Sequence, residues 1–162
     1  MIDIHPTARI SKLADIEDSV RGTRIVISEN VMIDSFVKIK PAGGECDIII
    51  GPNSFINSGC VLYAGNGICI GNSVAIAANC TFAPVNHEYF RKDVFIVKQG
   101  FRPSKGGIVI GDDVWIGANC VILDGVIIGK GCVVAAGSIV RGMLDDYGIY
   151  GGNPLVKLGV RK

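Results

Sequence analysis

The sequence predicts an all-β chain wound as a parallel solenoid, and two observations predict it: an apolar repeat of six residues, and 22 glycines against only 6 prolines and 1 tryptophan. Six matches neither the 3.6-residue period of an α-helix nor a two-residue alternation held indefinitely, so it demands short strands separated by turns. Glycine in this amount suits a chain that turns often. Rungs of such a solenoid stack at about 4.8 Å and bury one strand face inside.

The repeat is legible from the N-terminus, where Ile4, Ile10 and Ile16 each lead a six, with Ala8, Ala14 and Val20 four places behind. After a phase slip, ISENVM and IDSFVK start at Ile27 and Ile33. IGPNSF and INSGCV follow from Ile50 and Ile56, then IGNSVA and IAANCT from Ile70 and Ile76. From Ile110 the chain divides into IGDDVW, IGANCV, ILDGVI, IGKGCV, VAAGSI and VRGMLD. First and fifth residues share parity and therefore one strand face, predicted to point inward; Gly, Asn and Asp collect between them, where tight turns need them. The fifth place holds Cys60, Cys80, Cys120 and Cys132, expected as core residues because a buried thiol behaves as a small hydrophobe. Cys46 and Cys69 fall at phase slips, where the repeat assigns no face.

Length and charge narrow the function. With 162 residues the chain is expected to form a single domain over 1–162. A net charge of +1, from 16 Lys and Arg against 15 Asp and Glu, carries no footprint of a nucleic-acid binder or polybasic membrane anchor. The apolar runs fall short of the roughly 20 residues that span a bilayer. MIDIHPTARI lacks the charged and apolar regions of a signal peptide, so a cytoplasmic location is expected. The cysteines form no CxxC pairs and no ligand spacing with histidine, which argues against zinc and against a redox pair.

Between Phe82 and Ile110 the repeat stops. The stretch FAPVNHEYFRKDVFIVKQGFRPSKGGIV is predicted to project as a loop over about 83–107, concentrating His87, Glu88, Tyr89, Phe90, Arg91, Lys92, Asp93, Phe95, Phe101, Arg102 and Lys105. A long loop on a rigid scaffold is a usual place for function. His87 reads either as a surface histidine or as a general base, since imidazole titrates near neutrality, with Glu88 or Asp93 available to orient it. His5, the other histidine, lies near the far end of the chain, which leaves one imidazole for any metal.

The stretch IGDDVWIGANCVILDGVIIGKGCVVAAGSIV, followed by YGGNPLVKL, resembles the hexapeptide-repeat acyltransferases, and within them the galactoside, maltose and xenobiotic acetyltransferases and the O-acetyltransferases of surface polysaccharide synthesis. The resemblance implies a left-handed parallel β-helix with one projecting loop and a short C-terminal tail. It implies a homotrimer whose clefts between subunits hold acetyl-CoA as co-substrate, no metal, and a small-molecule sugar acceptor. Transfer to a sugar hydroxyl in polysaccharide biosynthesis is the expected reaction. N-acetylation of an amino sugar or other amine, and a non-catalytic assembly protein, are the alternatives.

Carried onto this chain, the resemblance gives His87 as catalytic base, with Asn86 and Glu88 beside it in the cleft, and the backbone N–H of Ala118 as oxyanion donor. Trp115 either walls the cleft or packs outward at a subunit seam. Gly117, Ala118, Ala136 and Gly137 would lie along the pantetheine arm. Relatives commonly carry Thr-Lys after this block, whereas Arg141-Gly142 stands here, so Arg141 and Lys157 are the candidates for the CoA phosphates. Some relatives place the histidine before a proline at the loop start; Ala83-Pro84 stands there in this chain, which leaves His87. The extension that precedes the repeat in galactoside and maltose enzymes is not apparent before Ile2, so their acceptors are not expected here.

Overall fold

Isoleucine and valine recurring at one position in six produce columns of identical side chains when the chain is coiled, and those columns are the core. The structure, a computed structural model, describes residues 1–41 and 46–162. The first coil contains β1 (Ile2–Ile4), β2 (Arg9–Ile10) and β3 (Asp15–Ile16); the second β4 (Ile25–Ile27), β5 (Met32–Ile33) and β6 (Lys38–Lys40). The third contains β7 (Ile48–Ile50), β8 (Phe55–Ile56) and β9 (Val61–Tyr63), and the fourth β10 (Ile68–Ile70), β11 (Ala75–Ile76) and β12 (Thr81–Ala83). A loop with one short helix, α1 (Ile96–Gln99), precedes the fifth coil of β13 (Ile108–Ile110), β14 (Trp115–Ile116) and β15 (Val121–Leu123). The sixth holds β16 (Ile127–Ile128), β17 (Val133–Val134) and β18 (Ile139–Val140); β19 (Met143–Leu144), β20 (Gly148–Gly151) and β21 (Val156–Val160) close the chain.

Every third strand pairs in parallel, so among the described residues the coil has three faces of seven, eight and six strands, beginning with β1, β2 and β3. It is a left-handed parallel β-helix. Ile27, Ile50, Ile70, Ile110 and Ile128 stack in register on the first face. Ile33, Ile56, Ile76, Ile116 and Val134 do so on the second, and Ile39, Leu62, Phe82, Ile122 and Val140 on the third. All fifteen are buried, as are Val114, Cys120, Val126, Cys132 and Ser138 in the fifth place of their sixes. Among the described strands β21 alone runs antiparallel, folding back on β20 after the Gly152-Asn153-Pro154 turn, whose Asn153–Pro154 peptide is cis.

The fourth place of each six turns the corner. It carries positive φ at Asn30, Asn53, Ser73 and Asp113 between the first and second faces, and at Gly59, Asn79, Asn119 and Gly137 between the second and third. Asn and Gly tolerate this left-handed region, which explains their place in the repeat.

Three details depart from the repeat as read. Val20 is not an inward residue; it is 99% exposed, because the chain leaves the coil after Ile16 and rejoins it at Ile25. Ile4, on the first coil, is 43% exposed rather than inward. Leu144, fifth in VRGMLD, is buried but does not take the place of a fifth residue: it pairs with Ile128, a first residue, at the start of a shortened coil. The excursions at 17–24, 64–67 and 84–107 leave the corner between the third and first faces, which makes that corner one that varies.

Candidate active site

The loop leaves β12 at Ala83 and returns to β13 at Ile108. It folds on itself: the Glu88 N–H donates to the Gly100 carbonyl and the Arg102 N–H to the Asn86 carbonyl, making a two-stranded ribbon with His87 opposite Phe101. Side chains alternate across such a ribbon. One side carries His87, its ring centroid 4.7 Å from that of Phe101. The other carries Asn86, Glu88 and Arg102.

Neither carboxylate expected to orient His87 does so. Glu88 accepts from the Tyr89 and Phe90 N–H groups and faces Arg102 at 3.7 Å; these contacts, the Tyr89 bond foremost, hold it below the usual carboxylate range. Asp93 is paired with Arg91 at 2.7 Å and is lowered by that bond. Both sit where turning backbone or a cation demands an acceptor. The imidazole of His87 is exposed and makes no hydrogen bond among the described residues.

Ala118 and Gly117 lie in the turn between β14 and β15, at the corner between the second and third faces. The next coil places Ala135, Ala136 and Gly137 directly over them: Gly117 N donates to Val134 O at 2.8 Å and Gly137 N to Ala118 O at 2.8 Å. A Cβ on Gly117 would come 2.5 Å from Ala136 N, so only glycine permits this approach. Space opens instead at Gly137, where a Cβ would meet nothing within 4 Å, and Ala136 is exposed. Among the described residues the Ala118 N–H has no hydrogen-bond partner, so one donor remains available among small residues.

Trp115 points outward from the second face, 53% exposed, between Ala75 and Val133 on the neighbouring strands. Arg141 follows β18 at the loop's own corner. It lines two grooves: one with Asn153, Pro154, Tyr150 and Lys157, the other with Asn86, Tyr89, Arg102, Lys105 and Asp124. Lys157 is held by Asp145 at 2.7 Å, while Arg141 makes no ion pair among the described residues.

The structure thus brings Arg141 beside Lys157 and beside Asn86, and stacks Gly117, Ala118, Ala136 and Gly137 in one tract. It does not bring His87 to that tract. The two occupy different corners, with the third face between them, roughly 10 Å or more at about 3.3 Å per residue. Sequence reading missed Asp124. Only 8% exposed, it accepts from Lys105 N at 2.8 Å, from Gly107 N and from the Asn66 amide, anchoring the return of the loop. It lies within the regular repeat, where nothing marks it as different from a turn aspartate.

Comparison with known proteins adds to this geometry. The bacterial transferase hexapeptide (six repeats) family matches residues 107–142. Galactoside O-acetyltransferase of Escherichia coli is 36% identical over 134 residues, 80% of this chain and 61% of that protein. Gamma carbonic anhydrase 2 of Arabidopsis thaliana is 30% identical over 139 residues, 80% of this chain and 50% of that protein. The chain spans less than two thirds of the length of these curated relatives. Among solved structures, AntD, an N-acyltransferase from Bacillus cereus in complex with dTDP and 3-hydroxybutyryl-CoA, aligns with a TM-score of 0.80 at 28% identity, over 97% of this chain and 81% of that one. Among the described residues no group of three His, Cys, Asp or Glu side chains is placed to hold a metal ion.

Proposed function

The chain is a hexapeptide-repeat left-handed β-helix of the kind found in sugar acyltransferases, and on that premise we propose that it transfers an acetyl group from acetyl-CoA to a hydroxyl of a sugar. The observation that carries this reading is an exposed histidine with no hydrogen bond among the described residues, on a long loop that interrupts a repeat shared with such enzymes. His87 takes the proton of the acceptor hydroxyl as its oxygen attacks the thioester carbonyl. The resulting oxyanion accepts a hydrogen bond from the Ala118 N–H, a contribution of about 3 kcal/mol for such a donor. Collapse expels the CoA thiolate, which recovers the proton from the imidazolium.

His87 and Ala118 lie at different corners of one chain, so the reaction requires the loop of one copy to meet the small-residue tract of another. A homotrimer with three such clefts satisfies this. In it Gly117, Ala136 and Gly137 leave room for the pantetheine arm, Arg141 and Lys157 face the CoA phosphates, and Trp115 stands on the outward face available to a neighbour. Asn86 and Glu88 hold the loop beside the acceptor, Glu88 through its bonds to loop backbone. Polysaccharide biosynthesis in the cytoplasm is the setting this reading fits.

A second reading, N-acylation of an amino sugar, draws support from the AntD neighbour, an N-acyltransferase. The chemistry at His87 is the same, with an amine in place of the hydroxyl. Free CoA released from acetyl-CoA is the readout for both. Hydroxyl sugars should release it and amino sugars should not; the reverse result selects the second reading. His87→Ala should lower kcat at least about a hundredfold, the usual share of a general base. A variant that keeps its assembly and full activity would overturn the role of His87.

A further inference from the structure

The groove at the root of the loop holds three cations, Arg102, Lys105 and Arg141, and the acids around them are occupied. Asp124 is taken by the Lys105 and Gly107 N–H groups and by Asn66. Glu88 bonds two loop N–H groups and reaches Arg102 at 3.7 Å. Lys105 and Arg141 make no ion pair among the described residues. The guanidinium of Arg102 is set in place by the rings of Tyr89 and Phe90, each 4.4 Å from it, and its Nη2 is buried with no acceptor among the described residues. The groove they line measures about 530 Å³.

A positive cavity walled by the Tyr89 ring and furnished with a preset guanidinium suits a tetrahedral oxyanion, because the planar fork of arginine matches phosphate oxygens and lysine adds a point charge. Three cations stand against two carboxylates, Asp124 and Glu88, whose oxygens are already taken by N–H donors and, for Glu88, by Arg102, which leaves a net positive groove with free donors for an anion. We propose that Arg102, Lys105 and Arg141 form a clamp for a phosphoryl or diphosphoryl group. It lies on the side of the ribbon opposite His87, and so is a site separate from the point of proton transfer. Its purpose rests on the acyltransferase reading: the phosphates belong either to CoA or to a phosphorylated acceptor.

Inorganic pyrophosphate is the probe, followed by calorimetry on the full chain at low ionic strength. Binding is expected, weakening as salt screens the cations. Arg102→Gln and Lys105→Gln should each raise the dissociation constant roughly tenfold, the scale of one charge-assisted bond; Lys105 is exposed, so its variant tests the clamp without disturbing the ribbon. Competition by CoA assigns the clamp to the donor, and competition by glucose 1-phosphate but not CoA assigns it to the acceptor. No binding, or binding unchanged in both variants, would overturn the proposal. The test needs no turnover. Pyrophosphate binding without CoA release defeats the enzymatic reading alone, and CoA release without pyrophosphate binding defeats the clamp alone.

Discussion

Cysteine and histidine show how one residue type is sorted by its place in the coil. Cys60, Cys80 and Cys120 stack in consecutive rungs, each thiol donating to a carbonyl of the next rung: Ala77, Gly117 and Ala135 at 3.1, 3.2 and 3.2 Å. Contact with Cys120 favours the Cys80 thiolate, but contact with Cys60 and burial outweigh it and push Cys80 up to about 11. Cys120 is raised by its contact with Cys80 and then by burial, and Cys132 by burial. Cys60 is lowered by its bond with Cys80, yet it too is closed to solvent. The four should therefore resist a thiol reagent at pH 8 and become reactive only on unfolding. Exposed Cys46 should react in the folded protein. Absorbance after adding Ellman's reagent, with and without denaturant, measures this, and rapid native labelling of all six would contradict the core assignment. These core thiols were legible from spacing alone. The partners of His87 were not, because adjacent residues on a ribbon face opposite sides and no spacing rule says which carboxylate a neighbouring N–H will claim.

At the scale of elements, each strand is too short to be stable by itself and is held by the strands above and below. Ile122 lies fully buried between Phe82 and Val140 in the third face. Ile122→Ala should cost about 2–5 kcal/mol, the range for deleting a large aliphatic side chain from a packed core. Chemical denaturation followed by circular dichroism checks it; a loss under about 1 kcal/mol would mean that neighbouring rungs collapse into the space. The strands and their inward columns follow from the six-residue period. The ends of the repeat do not. Val20 and Leu144 fit the pattern by type and spacing, but a departing chain carries Val20 into solvent, and a shortened turn brings Leu144 early to its place under Ile128.

For the whole molecule, two outer faces of the coil carry exposed apolar side chains. Ile49, Val109, Ile127 and Met143 on the first face, and Met32, Phe55 and Trp115 on the second, are between 37% and 75% exposed. Contiguous apolar surface of this kind marks an interaction site. With His87 and Ala118 at different corners, it supports the proposed trimer, the closed ring in which each loop meets a neighbouring tract. Sedimentation should give a mass of about 51 kDa, three times the 17.1 kDa of one chain. A monomer that still releases CoA would overturn the shared site.

The sequence by itself determined the solenoid, the inward residues and the place of the loop, because a local period of six leaves one way to bury its apolar positions and any break in it must project. Only the tertiary structure decided that the excursions at 17–24, 64–67 and 84–107 leave the same corner, that Asp124 anchors the loop's return, and that Arg102, Lys105 and Arg141 meet in one groove. Those outcomes depend on which rungs stack over which. Register between coils is set by the lengths of the excursions, and no residue within a single six records them.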